Sequence, residues 1–193
     1  LWIATGNAHK LQEFRAMLEP LGYEIKGMQD LDVNLEVEEN GTTFEENALI
    51  KARALHERTH MSVISDDSGL CVNAMNGEPG VHSARFMGYD SDYALKNRAI
   101  IEQVKQSADK GAQFVCAIAY IEADGTEHVF RGVVEGIICE TAIGAHGFGY
   151  DPIFYYPPYQ TTLANVSEEE KNKVSHRFRA LQQLIAYLEG SSL

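Results

Sequence analysis

Basic side chains are scarce in this 193-residue chain: 16 Lys plus Arg stand against 28 Asp plus Glu, a formal charge of −12 with histidine neutral. Proteins that coat DNA or RNA draw most of their affinity from Lys and Arg neutralising phosphates, so the average field excludes that role. Any phosphate-bearing partner has to be held locally. Cysteine is also rare. Cys71, Cys116 and Cys139 are widely spaced, odd in number and set among apolar residues, which fits neither a disulfide framework nor a thiolate metal site. No apolar run approaches the ~18 residues that span a bilayer, and Leu1-Trp2-Ile3-Ala4-Thr5 lacks the basic flank of a signal peptide. The expectation is a soluble cytoplasmic protein with no nucleic-acid or membrane partner. Internal repeats, low-complexity tracts and interdomain linkers are absent too. With 45% hydrophobic residues the chain can build a sizeable core, and residues 1–193 read as a single domain, with room for two lobes.

What is present has the rhythm of an α/β protein. Residues 1–5 read as a short buried strand, followed by Gly6-Asn7 and a helix with Leu11, Phe14, Met17 or Leu18, and Leu21 at helical spacing. Residues 23–26 form a second candidate strand. Thr43-Phe44-Glu45-Glu46 is a capping box opening a helix to about Arg58. Residues 62–65 read as a strand running into a turn, Asp66-Asp67-Ser68-Gly69, with extended character resuming at 70–72. An amphipathic helix covers 91–107. Residues 113–122 and 127–140 flank Asp124-Gly125, a strong hairpin signal, so two long antiparallel strands and a mixed sheet are expected. Ser167-x-x-Glu170 caps a closing helical region to about Leu188.

Three clusters carry residue types with chemistry. Thr5-Gly6-Asn7-Ala8-His9-Lys10 lies where a strand gives way to a helix, and a helix N-terminus with Gly, a short amide and a lysine can cradle phosphate oxygens. A plain helix cap and a solvated lysine account for the same residues. The spacing is neither that of a Walker loop nor that of a Rossmann fingerprint. Asp66-Asp67 at the end of an apolar strand would repel one another unless a cation or a proton intervened, which points to a metal site or a general base. Turns also favour Asp, Ser and Gly. Glu38-Glu39, in an acidic loop over 36–40, offers further hard oxygens of the kind Mg²⁺ takes beside substrate phosphates, or is simply solvated. Finally, Gly147-Phe148-Gly149-Tyr150-Asp151-Pro152, with Lys171 and Ser175-His176-Arg177 downstream, combines aromatic faces for a base with groups that read hydrogen-bonding edges. A hairpin loop with an aromatic plug and an ordinary basic helix is the plainer account.

Taken together and in order, ATGNAHKLQEF, GTTFEENALIKA, DDSGLCVNAMNGEPGVHSARF, GFGYDPIF and EEKNKVSHRFRAL resemble the inosine triphosphate pyrophosphatases, also described as XTP/dITP diphosphatases, over nearly the whole chain. The resemblance implies an elongated mixed β-sheet with flanking helices, two lobes around a central cleft as in the related Maf-like fold, and a homodimer. It also implies hydrolysis of ITP, dITP and XTP to the monophosphate and pyrophosphate, cleaning the nucleotide pool. By the same resemblance Thr5, Gly6, Asn7, Ala8, His9 and Lys10 contact the substrate, Lys51 faces its phosphates in a catalytic role, and Ser68 touches it. Asp67 matches the catalytic carboxylate, as metal ligand, base for water, or both. Glu38 or Glu39 completes the Mg²⁺ site. Phe148, Gly149, Tyr150 and Asp151 look like the base-binding loop, with Lys171, His176 and Arg177 around the purine and Arg85 near the wall. Met75-Asn76 and Cys71 depart from the usual pattern at tolerant positions and remove no catalytic group. Asp66 is expected to raise the pKa of Asp67 by like-charge repulsion.

Overall fold

Apolar side chains that recur at helical spacing mark three segments, and each is a helix in the computed structural model, which describes residues 1–32, 34–88 and 91–190. Helix α1 (Ala8–Leu18) buries Leu11, Phe14 and Leu18; α2 (Phe44–Thr59) buries Phe44, Ala48, Ala52 and Leu55; α3 (Tyr93–Lys105) buries Ile100, Ile101 and Val104. Each begins at a residue whose side chain accepts first-turn N–H groups: Asn7, Thr43 and Asp92. Helix α1 stops three residues short of the sequence expectation. Pro20 and a left-handed Gly22 turn 19–21 into a 3-10 segment, which leaves Leu21 exposed.

The strands are β1 (Trp2–Ile3), β2 (Lys26–Gly27), β3 (Val63–Val72), β4 (Gly111–Ile121), β5 (Glu127–Ile138), β6 (Phe154–Tyr156) and β7 (Thr161–Thr162). They form one sheet in the order β2-β1-β3-β4-β5-β6-β7. β1 runs parallel to β2 and β3, whereas β5–β6 and β6–β7 are antiparallel, so the sheet is mixed as expected. The hairpin turns at Asp124-Gly125, where Gly125 has φ +93° and donates to the Glu122 carbonyl. β2 lies at 26–27 rather than 23–26. The closing helical region is two helices, α4 (Glu168–Asn172), capped by Ser167, and α5 (His176–Leu188), whose first turn donates from Phe178 to the Ser175 hydroxyl.

One difference matters for chemistry. The expected turn at 66–69 does not exist: β3 continues through Asp66-Asp67-Ser68-Gly69 as a single ten-residue strand. Successive side chains of a strand point to opposite faces, so Asp66 and Asp67 do not share an environment. Asp66 is buried and Asp67 only partly so.

The chain divides into two compact units, one of Leu1–Asp67, Ala117–Arg131 and Ala180–Leu193, the other of Ser68–Cys116 and Gly132–Arg179. Each has its own core. In the first, α2 packs Ala48, Ala52 and Leu55 with Ala4, Val63, Ala119 and Ile121. The second gathers Leu70, Val72, Ile100, Val104, Phe114, Val134, Ile153 and Phe154. Among the described residues no helix is long and apolar enough to cross a membrane.

Leu55 is fully buried in the first core. Leu55→Ala is expected to lose about 2–5 kcal/mol of stability, as buried leucines do when truncated, seen as a lower urea midpoint at unchanged slope. A loss below about 1 kcal/mol would mean that this core collapses around the vacancy.

Candidate active site

The first unit brings its cluster together through the strand order. β1 lies between β2 and β3, all parallel, and the chain leaves β1 toward one neighbour and returns on the other; the carboxyl ends of strands at such a reversal are where open α/β sheets bind ligands. Thr5-Gly6-Asn7 emerges from β1 there. Because Ile3 pairs with Ile64, Asp66 and Asp67 stand just beyond, on β3.

Asn7 is a helix cap in this structure. Its Oδ1 accepts from the N–H groups of His9 at 2.9 Å and Lys10 at 3.3 Å, and the Thr5 hydroxyl accepts from the Asn7 N–H. His9 turns along α1 to Glu13. Gly6 and Ala8 are exposed. Lys10 is the member of this segment that reaches β3, with its ammonium 3.2 Å from one Asp66 oxygen and 3.3 Å from the other.

Helix α2 supplies the opposite side. Lys51 donates to the Asp66 backbone carbonyl at 2.5 Å and pairs with Glu39 at 2.8 Å. Burial works to lower the Lys51 pKa, but Asp66, Glu39 and Asp67 together raise it above the ordinary lysine value, so the ammonium is firmly charged. One turn earlier, buried Asn47 hydrogen-bonds Asp67 and accepts from the Gly41 N–H at 2.8 Å. Gly41 has to be glycine, since a Cβ there would lie 2.8 Å from Asn47 Oδ1 and from the Glu46 Cβ. That contact ties the acidic loop to the start of α2. It also distinguishes two adjacent candidates: Glu39 is partly buried and paired with Lys51, while Glu38 is exposed.

Asp67 is the unusual member. Burial pushes its pKa up to about 6; Lys51, the Asn47 hydrogen bond and Lys10 pull it down, and Glu39 pushes it further up. The pKa is raised as expected, but burial leads and Asp66 is not among the leading causes: on a strand the two carboxylates point apart. Asp67 Oδ2 is buried with no hydrogen-bond partner. A hard cation would satisfy that atom, with Glu39 an additional carboxylate that acts on Asp67, so the donor set fits a divalent metal. Ser68, partly buried, follows on β3.

The second unit assembles the aromatic cluster. Gly147 and Gly149 have φ of +71° and +64°, and a Cβ on Gly147 would lie 2.5 Å from Asp151 Oδ2. The tight loop between them exposes Phe148. Buried Asp151 accepts from the Phe148 N–H at 3.0 Å and from Lys171 at 2.5 Å, and the Lys171 ammonium stands 4.3 Å from the centre of the Phe148 ring. Asp151 and Lys171 therefore build the platform under Phe148. Tyr150 is also internal: its hydroxyl donates to the Ser83 carbonyl at 2.5 Å, and burial, reinforced by Tyr93, raises its pKa and keeps the proton in place. His176 stacks on Phe114 at 5.0 Å, next to buried Arg177. Arg85 donates to the His82 ring at 3.0 Å.

Asn47, Lys96 and Asn97 are the residues that motif reading passed over. Asn47 had a visible signal, one helical turn from Lys51. Lys96 and Asn97 had another, as polar residues at helical spacing from Ile100, Ile101 and Val104.

The Ham1 family profile matches residues 1–187. A protein of Leptospira interrogans named dITP/XTP pyrophosphatase is 44% identical over 191 residues, covering 98% of this chain and 96% of that one. One of the same name from Bacillus licheniformis is 43% identical over 189 residues, covering 97% and 96%. The solved structure of the Staphylococcus aureus Ham1 protein superposes with a TM-score of 0.92 at 40% identity, covering 99% of this chain and 98% of that one. A likeness in sequence and in fold that extends over both units leaves one conclusion: the chain belongs to the Ham1 family.

Proposed function

We propose that the protein hydrolyses deaminated purine nucleoside triphosphates, ITP, dITP and XTP, to the nucleoside monophosphate and pyrophosphate. The observation that carries this reading is Asp67, a carboxylate raised to about 6 with one buried oxygen unpartnered, acted on by Lys51 and Lys10 just past the carboxyl end of β1. At pH 7 such a carboxylate is mostly ionised yet basic enough to take a proton from water. Water attacks the α phosphorus, its proton passes to Asp67, the bond to the α–β bridging oxygen breaks, and pyrophosphate leaves. Lys51 and Lys10 neutralise the charge that accumulates on the phosphate oxygens. Thr5 to Lys10 and Ser68 line the phosphate side. Together the two units act as one catalytic domain.

Asp67 and Glu39 are the residues that would hold Mg²⁺, whose bound form supplies Lewis-acid polarisation of phosphate oxygens. Charge supports that assignment. Lys10 and Lys51 face three carboxylates, Asp66, Asp67 and Glu39, a net negative cluster that becomes attractive to a polyanion once a divalent cation is added.

The purine falls to Phe148, Gly149, Tyr150 and Asp151 with Lys171, His176 and Arg177. Phe148 is the stacking face. Donors at His176 and Arg177 suit the 6-keto oxygen of hypoxanthine and xanthine and are left unmatched by the 6-amino group of adenine. Work on the free nucleotide pool fits a cytoplasmic enzyme, and the family resemblance supports a homodimer.

Product analysis tests the reaction. With ITP and Mg²⁺ the products should be IMP and pyrophosphate, and kcat/KM for ITP should exceed that for GTP and ATP. IDP and phosphate would mean attack at the γ phosphorus, and binding without product would make the protein a nucleotide sensor.

Asp67→Asn should abolish turnover in a folded protein; near-native kcat would remove Asp67 from the mechanism. The same variant reports on the raised pKa. A carboxyl held at about 6 when folded, against 3.8 in the ordinary state, penalises the fold when ionised, by about 3 kcal/mol above pH 6 and by nothing below pH ~4. Without added metal, Asp67→Asn should therefore melt higher than the parent at pH 8 and alongside it at pH 4. An equal difference at both pH values would contradict the assignment. Mg²⁺ should narrow the gap at pH 8 by stabilising the ionised parent.

Light scattering after size exclusion should give a mass about twice that of the chain. A monomer mass at micromolar concentration would overturn the homodimer.

A further inference from the structure

Two polar residues occupy the buried face of α3, where its pattern otherwise places apolar ones. Lys96 and Asn97 share that face with Ile100, Ile101 and Val104. Lys96 Nζ donates to the Ala84 carbonyl at 2.9 Å and lies 4.6 Å from the Tyr93 ring centre. Asn97 is 5% exposed; its Nδ2 donates to the Gly149 carbonyl at 3.2 Å, and its Oδ1 is buried with no partner. Stability does not explain that choice. A leucine of similar size would fill the position with no unmatched side-chain atom, giving up only the hydrogen bond to the partly buried Gly149 carbonyl. The bond to Gly149 is what an asparagine provides.

Gly149 needs to be held. At φ +64° a glycine tolerates more than one orientation of the peptide that follows it, so the loop's own backbone leaves the Gly149–Tyr150 plane unsettled. Asn97 settles it. In a trans peptide the C=O and N–H point in opposite directions, so a Gly149 carbonyl turned toward α3 directs the Tyr150 N–H away from it. That N–H has no acceptor among the described residues. Tyr150 is also fixed by its side chain, through the hydroxyl on Ser83 and an edge-to-face contact with Tyr93 at 5.0 Å and 87°.

We propose that Asn97 is a positioning residue for purine choice: it holds the Gly149–Tyr150 peptide so that the purine loop offers an N–H donor, which a 6-keto oxygen accepts and a 6-amino group cannot. The inference rests on the reading of 148–151 as the purine loop. A flipped peptide would offer a carbonyl and welcome the amino group.

Binding of the α,β-methylene analogues of ITP and ATP, which lack the bridging oxygen that is cleaved, measured by calorimetry with the full-length protein in Mg²⁺ buffer, tests this independently of turnover. Asn97→Asp keeps the shape and replaces the donor with an acceptor; Asn97→Leu removes both polar atoms. For at least one folded variant the ITP-over-ATP affinity ratio should fall roughly tenfold, the scale of one lost hydrogen bond, with ATP binding no weaker than before and the melting temperature of the leucine variant retained. An unchanged ratio in both overturns the proposal. So does an equal loss for both nucleotides together with a lowered melting temperature, which marks a merely structural residue. If the parent prefers ITP yet forms no IMP and pyrophosphate, the pyrophosphatase reading fails and the positioning role stands; a parent with no preference for ITP removes the positioning role itself.

Discussion

Burying an ionisable carboxylate without fully pairing it is the constraint around which the first unit is arranged. Asp67 cannot shed its charge into solvent, and its Oδ2 has no donor, so the surrounding elements supply what water would have. Helix α2 contributes Asn47 and Lys51 one turn apart, and α1 contributes Lys10 from its first turn. The Thr43 cap and the Gly41–Asn47 contact hold the acidic loop where Glu39 meets Lys51. Each of these devices is local, and all are needed because β3 carries its two aspartates in mid-strand. Asp66 faces away and is neutralised by Lys10, which frees Asp67 to be the tunable group.

The loop at 147–151 follows the opposite rule. Its charged residues answer one another: Asp151 accepts from Lys171 and from the Phe148 amide, and Tyr150 is engaged by Ser83. A loop whose own side chains are satisfied internally is rigid, and what it can present to a ligand is the Phe148 ring and its backbone. Two left-handed glycines make that backbone possible, since any Cβ at Gly147 would strike Asp151. On the proposed reading of this loop, selectivity depends on which way peptide groups point, and α3, remote in sequence, supplies the hold on Gly149.

Residue type and spacing were enough to identify the longer helices and the caps at Thr43 and Ser167, because capping and apolar periodicity are local. Thr43 and the α2 face are read directly, as is the hairpin at Asp124-Gly125. The error at 66–69 has a physical cause. Asp, Ser and Gly favour turns in isolation, whereas the place of β3 beside the long strand β4 and the burial of Leu70 and Val72 keep the strand going. That one error carried a second with it, since carboxylates in a turn repel and carboxylates on a strand diverge. Lys10, Lys51 and Asp67 are legible as chemistry. Choosing Glu39 over Glu38 is not, because adjacent identical residues differ only in the direction that the tertiary fold gives them. Asn47 and Asn97 fall between these cases: both lie on the buried face of a helix, where the pattern calls for an apolar residue, a signal that needs only the 3.6-residue period to be seen.

Net charge and local charge act at different ranges, and the difference reconciles an acidic protein with a polyanionic substrate. At physiological salt the field of distant carboxylates decays within about 8 Å, so the −12 of the whole chain discourages long anionic polymers without preventing a compact one from binding where cations are fixed. Lys10 and Lys51 are fixed by hydrogen bonds and ion pairs to Asp66 and Glu39, and that pairing lowers their availability to phosphate as it positions them. A divalent cation competing for the same carboxylates would loosen those pairs and add its own charge. On the proposed reading the acidic groups are the means by which the cluster changes sign, which makes local carboxylates compatible with taking up a triphosphate.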